Sequence, residues 1–271
     1  VRQFVPPSVV RRIKPESRVL LQRDVTARVK AVAPFLAFDH DPYVTVVDGK
    51  AKYVVDAYTT TRWYPNAQQA DTSGLNAASG LRDQPFNYAR NSVKAVVDAY
   101  DGTVSLYVID AKDPIIRAYR KAFPRLFTDG DEALEELQTH YRYPEDLFTV
   151  QTQMWARYHV TDTDTFYNGN DEWAVPVEPG GQTVTEDSTQ KVDANGVEIN
   201  PSQPYESKYL LLRLPGDDPQ TFVILRPFVA ASKGSSGQNQ LTGFMVASSD
   251  PGDYGLMRSF ALPAQDLPEG P

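Results

Sequence analysis

The pentapeptide Val-Val-Asp-Ala-Tyr occurs at positions 54–58 and again at 96–100, and each copy sets a carboxylate, Asp56 or Asp98, within a run of strand-forming residues. If the two strands pair in register, both aspartates face one side. Carboxyl groups held about 5–9 Å apart are the acid and base of a glycoside hydrolase. The plainer use of the same residues is structural, and it is favoured. An aspartate at a strand end accepts hydrogen bonds from a neighbouring turn or pairs with an arginine such as Arg62 or Arg90.

Two oxygen-rich stretches suggest a second chemistry. "TDTDTFYNGND" carries Asp162, Asp164, Asn168, Asn170 and Asp171, and "SSDPGDYG" carries Asp250 and Asp253. These are hard donors of the kind calcium takes, but their spacing does not fit the D-x-[DN]-x-[DN]-G loop. Turn-forming Asx hydrogen bonds account for them equally well, so no metal is expected, and calcium is the one cation the donors would suit. His40, His140 and His159 are far apart and no H-E-x-x-H is present, so zinc hydrolysis has no support. His140 falls at a helix end, where an imidazolium complements the dipole. Neither G-x-S-x-G nor a glycine-rich phosphate loop occurs.

The third group is aromatic. Arg62, Trp63 and Tyr64 follow the first pentapeptide, and Asn87, Tyr88, Arg90 and Asn91 precede the second. Antiparallel pairing of the two strands would bring these residues to one rim. There, aromatic faces with amide and guanidinium donors would suit a glycan, a lipid head group or a protein partner. The competing reading is a packed cluster whose polar groups satisfy one another.

The elements that must position these residues read as α+β. Residues 1–16 form an irregular lead-in. Leu21, Val25, Val29, Val32 and Leu36 recur at helical spacing after a Ser17 cap, and Pro34 ends that helix. Two hairpins follow, each around an Asp-Gly turn, at 48–49 and 101–102. Three helical patterns come next. "DPIIRAYRKAF" opens with an aspartate cap and a first-turn proline, and "DGDEALEELQTHY" has acids in its first turn. "YPEDLFTVQTQMWARYHV" offers Leu147, Phe148, Met154, Trp155 and Tyr158 as its buried stripe. Residues 176–206 are too polar to build a core and read as a loop or linker with a marginal hairpin at "NGVE". Strands return over 207–263, expected to pack on the 17–175 region, and 264–271 are a tail.

Composition narrows the classes further. The net charge of −8 argues against nucleic acid as a partner, and no apolar run approaches a membrane span. The absence of cysteine excludes disulfides, thiolate catalysis and Cys-ligated zinc. Charge is uneven, +6 over the first 30 residues against −14 for the rest. Such a leader either docks on its own acidic domain or rests near anionic lipid. The chain begins on Val1 without an initiator Met and is expected to be a piece of something longer.

"RVKAVAPFLAFDHDPYVTV", "YVVDAYTTTRWYP", "FNYARNSVKAVVDAYDGTVSLYV", "HYRYPEDLFTVQTQMWARYHV", "FYNGNDEW" and "SSDPGDYGLMRSFALP" resemble, in this order, segments of the uncharacterised membrane-protein family numbered 0182 in the UPF series, found in actinobacteria and cyanobacteria. The resemblance runs from about Ser17 to Pro263. It implies an N-terminal set of transmembrane helices, absent from this chain, followed by a large soluble region outside the cytoplasm to which this chain is similar. It carries over no catalytic residues. The expectation is therefore a non-catalytic extracytoplasmic module of an envelope membrane protein, whose partners are its own transmembrane region and an envelope glycan, lipid or protein. The alternatives are an enzyme acting on envelope glycan or lipid through Asp56 and Asp98, and a structural oligomerisation module.

Overall fold

The computed structural model describes Lys14 and residues 22–82, 84–177, 204–231, 240–263 and 267–268. Ser17, most of the polar 176–206 stretch with its "NGVE" hairpin, and most of the basic leader lie outside the described residues. Among the described residues, two antiparallel-dominated sheets and five α-helices make up the α+β fold.

The first sheet is built on two long strands, β3 (Lys50–Thr61) and β4 (Tyr88–Asp98). Along the free edge of β3, β1 (Ala37–Phe38) and β2 (Tyr43–Val47) lie end to end, each antiparallel to it. Beyond β4 come β5 (Val104–Val108) and, parallel to it, β6 (Phe127–Asp129). The β2–β3 turn is Asp48–Gly49, with φ of +50° and +67°, the conformation that makes Asp-Gly the strongest short hairpin signal. The parallel β5–β6 step needs a crossover, which α2 (Pro114–Ala122) supplies.

The second sheet runs β11 (Met257–Ala261), β10 (Leu241–Ser248), β9 (Thr221–Ala230), with β7 (Trp173–Ala174) and β8 (Lys208–Leu212) sharing the far edge of β9. Three further helices are α1 (Val25–Val32), the single-turn α3 (Glu135–Gln138) and α4 (Glu145–Tyr158); α5 (Thr163–Asn168) follows.

Strands β3 and β4 are covered on both faces, each with six successive buried residues. On one face Val55, Ala57, Val93, Ala95 and Val97 pack against Val29 of α1 and Ile116 of α2. On the other, Tyr58 meets Leu147 and Phe148 of α4 and Ile224, Phe228 and Met245 of the second sheet in one core. A strand buried on both sides reads as a near-continuous apolar run, so any polar residue within it must find an internal partner. Asp56, Thr59, Ser92 and Lys94 are those residues, all within 2% of full burial.

Helix boundaries adjust the sequence reading. Described helix α1 begins at Val25, with Asp24 as its cap accepting from Ala27 N, and it ends at Val32, two residues before Pro34. The "DEALEEL" pattern yields only a 3₁₀ turn (Gly130–Glu132) and the short α3. In α4 the buried stripe is Leu147, Phe148, Val150 and Ala156. Met154, Trp155 and Tyr158 are instead exposed, because the helix docks by its N-terminal half.

Candidate functional site

The register of β3 against β4 decides what the repeated aspartates do. Asp56 stands opposite Lys94 and Asp98 opposite Lys52, with Val54 opposite Val96 at the centre. The repeat is thus Lys-x-Val-Val-Asp-Ala-Tyr, and antiparallel pairing about its middle valines gives each aspartate the other copy's lysine. The expected pair of facing carboxylates does not form. All four side chains share one face, but Asp56 and Asp98 are separated by four residues of register, about 13 Å at the strand rise.

The two ion pairs sit in opposite environments. Lys52 Nζ lies 3.4 Å from Asp98 Oδ2 near solvent. Lys94 Nζ lies 2.5 Å from Asp56 Oδ1 with neither side chain more than 3% exposed. Lys94 also donates to Arg142 O at 2.6 Å and lies 5.3 Å from the ring centroids of Tyr141 and Tyr254. Burial pushes the Asp56 carboxyl up and the Lys94 ammonium down, and the attraction of each for the other opposes both shifts. Arg142 in turn lies over Tyr43 and Tyr209. Four tyrosines are spent here, as polar-tipped walls around the buried Lys94 and the half-buried Arg142.

Beside this pair lies a second buried cluster, which sequence reasoning missed. Asp39 and His40 follow β1, where Asp39 N donates to Asp56 O at 2.9 Å. Asp146 is the second residue of α4, whose proline cap has no side chain to offer the first turn. Asp39 does so instead: its Oδ2 accepts from Asp146 N at 3.0 Å and from the Tyr58 hydroxyl, while its Oδ1 accepts from Asp41 N. His40 N donates to Asp146 Oδ2 at 3.0 Å. The His40 ring nitrogen Nδ1 lies 2.8 Å from Asp146 Oδ1 and 3.5 Å from Asp39 Oδ1.

Electrostatics follow from that crowding. Burial raises the Asp39 carboxyl to about 7, with the charges of Asp146 and Asp56 adding to the shift. Burial works against charge on His40, but the hydrogen bond and charge of Asp146, then Asp39 and Glu145, bring it up to about 9. Burial likewise carries Glu145 to about 7.

These groups open on a cleft of about 380 Å³. Its lining combines His40, Glu145 and Asp146 with Arg82, Glu206 and Arg226. Residues 73–77 form one wall, and the loop carrying them is seated on β1 by Gly80, whose N donates to Phe38 O at 2.9 Å. A Cβ at Gly80 would lie 2.6 Å from Phe38 N, so only glycine permits this approach. Arg226 is 2% exposed and donates to Tyr205 O, Thr149 O and Thr152 Oγ1. Among the described residues it has no carboxylate within 4 Å. Burial brings its guanidinium down to about 10, against the distant charges of Glu145 and Glu206.

The aromatic rim residues come to one end of β3 and β4, but most of their polar groups are spent locally. Asn87 accepts from Tyr64 N and donates to the carbonyls of Tyr64 and Ala67. Tyr88 stacks on Tyr64 and donates to Asp113, Arg90 pairs with Asp110, and Asn91 donates to Ala57 O. Trp63 is 76% exposed, with Arg62 over its ring at 4.5 Å.

The acidic turn residues are scattered in role. Asp162 caps α5 through Thr165 N, Asp164 lies in that helix's first turn, and Asp171 takes a positive φ. Asp250 accepts from Phe222 N, and Asp253 N donates within the β10–β11 turn. None of them joins a group of three metal-ligand donors among the described residues. The one group that does is Asp39, His40 and Asp146, with one donor atom from each within 4.8 Å of the others. His159 ends α4 and stacks on Trp173 at 3.8 Å, and His140 follows α3. Signals for the missed cluster were present in "FDHDP", three titratable groups in a row. "YPED" at a helix start and a lone arginine in the apolar strand "TFVILRPFV" were the others.

Among the described residues, no helix is long and apolar enough to cross a membrane. No solved structure matches the chain. The sequence profile of the uncharacterised protein family UPF0182 matches residues 8–271. A UPF0182 protein of Methanospirillum hungatei is 37% identical over 259 residues, covering 96% of this chain and 26% of the relative. One from Thermobifida fusca is 40% identical over 270 residues, covering 96% of this chain and 24% of the relative. The chain thus spans about a quarter of the length of the curated relatives it matches. It belongs to the uncharacterised protein family UPF0182.

Proposed function

We propose that this chain is the water-facing, extracytoplasmic binding module of a longer envelope membrane protein, and that its cleft takes a small polar ligand bearing an anionic group. The observation that carries the ligand reading is Arg226. A guanidinium buried to this degree is costly unless an opposite charge meets it, and its contacts within the fold are with neutral oxygens. Among the described residues, Nε and Nη1 are committed to those oxygens, which leaves the Nη2 amino group to donate to a carboxylate or phosphate oxygen. Arg82 lines the same cleft and adds a second cation, and Glu145 there suits a ligand that also carries a positive or hydroxyl-rich end. That the relatives are longer is seen in the share of them that the chain spans, and the membrane attachment is supported by the resemblance of its motifs alone. Trp63 and Arg62, exposed at the rim, are the residues best suited to touch a head group or partner.

The test is calorimetric titration of the chain with inorganic phosphate and with glycerophosphoethanolamine. Binding of either that falls at least about tenfold in Arg226→Met, with a smaller loss in Arg82→Met, is the expected result. Titrations in which neither probe binds, or in which Arg226→Met binds as well as the parent, would remove the reading.

A further inference from the structure

We propose that Asp39, His40 and Asp146 form a site for one divalent transition-metal ion of the Zn²⁺/Mn²⁺ class, reached from the cleft through His40 and Asp146. The three residues come from two elements 106 positions apart in sequence, the end of β1 and the first turn of α4. In a tetrahedral or octahedral shell with bonds of about 2.1 Å, neighbouring donor atoms stand about 3.0–3.4 Å apart. His40 Nδ1 lies 2.8 Å from Asp146 Oδ1 and 3.5 Å from Asp39 Oδ1, within a few tenths of an ångström of those edges. Metal binding takes His40 Nδ1 in its deprotonated form, and any proton it carries is released to solvent.

The donors are already aimed. Tyr58 and Asp146 N hold one oxygen of Asp39 and Asp41 N the other, while His40 N holds Asp146. Such partners fix ligand orientation and strengthen metal sites. Asp39 and Asp146 are 2% and 1% exposed, so their orientation does not depend on solvent. An imidazole nitrogen with two carboxylates suits Zn²⁺ or Mn²⁺ better than the all-oxygen shells of Ca²⁺ or Mg²⁺.

The independent observation is Arg226. It lines the same cleft as His40 and Asp146, buried and with no carboxylate within 4 Å among the described residues, where an anion would meet it. Three protein donors leave open positions on the ion, and an anion held by Arg226 would occupy one of them. The inference deepens the cleft reading above and shares its location, but it is tested with the metal alone.

The chain, stripped with a chelator and dialysed, is titrated with Zn²⁺ and Mn²⁺ by calorimetry, and with Co²⁺ by visible absorption. One equivalent binds the parent, and affinity falls at least about tenfold in His40→Ala and Asp146→Asn but not in His159→Ala or Asp162→Asn. If either cleft variant fails to fold, Mn²⁺ broadening of the His40 ring resonances in the parent decides. Absence of stoichiometric binding, survival of binding in a folded His40→Ala chain, or broadening confined to other residues overturns the site. Metal binding with neither phosphate nor glycerophosphoethanolamine binding upholds this site and ends the anion reading. Phosphate binding without metal does the reverse.

Discussion

The repeated Lys-x-Val-Val-Asp-Ala-Tyr segment contains its own control experiment. Antiparallel pairing makes Lys94–Asp56 and Lys52–Asp98 equivalent in register, so the two pairs differ chiefly in burial. Lys94→Met removes the partner of a carboxylate that is 2% exposed and leaves the Arg142 carbonyl without one of its donors. An uncompensated buried charge of this kind costs about 3–5 kcal/mol. Lys52→Met removes a partner from Asp98, which keeps backbone donors from Tyr100 and Asp101 and stays near water. Exposed pairs are worth about 0–1 kcal/mol. The double change Asp56→Leu with Lys94→Met leaves no charge to strand, and most of the loss should return. Thermal unfolding followed by far-ultraviolet dichroism and tyrosine fluorescence reads all three. Lys94→Met should lower the melting temperature by about 10 °C and Lys52→Met by no more than about 3 °C. Equal losses in the two single variants, or a double variant weaker than Lys94→Met, would refute the account of the repeat.

Three further outcomes follow from the packing. Asp113 accepts from Thr59, Ser92 and Tyr88 and from the backbone of Ile115 and Ile116, and these bonds hold its carboxyl below the usual range despite burial. A depressed folded value means the stabilisation is complete above the unfolded pKa and is lost as pH falls through the folded one. Unfolding free energy should therefore drop below about pH 4 in the parent and be flatter in Asp113→Asn, whose stability is already lower by about 1–2 kcal/mol at pH 7. Trp63→Ala, at a site 76% exposed, should change stability by less than about 1 kcal/mol in the same assay; a loss of folding would make Trp63 part of the core and end its rim role. Gly80→Ala drives a methyl into the Phe38 backbone and should cost about 1–3 kcal/mol and speed proteolysis of the 71–82 loop, whereas an unchanged cleavage rate would mean that loop is not seated by Gly80.

Local structure was legible in the chain alone. Both Asp-Gly turns, the Asp113–Pro114 helix start, the end of α1 before Pro34 and the order of hairpins, helices and later strands are set by backbone preferences of a few adjacent residues. Family membership was legible for a related reason, since long motifs survive in order along the chain. Which distant charges meet was set by register and docking instead. The pairing of Asp56 with Lys94, rather than with Asp98, depends on strand register, where a shift of two residues would exchange every partner. The union of His40 with Asp146 and the burial of Arg226 beside them depend on how α4 and the second sheet dock on the first. A single sequence shows that such residues are polar, but Coulomb and desolvation energies depend on distance and dielectric, and those exist only once the layers have packed.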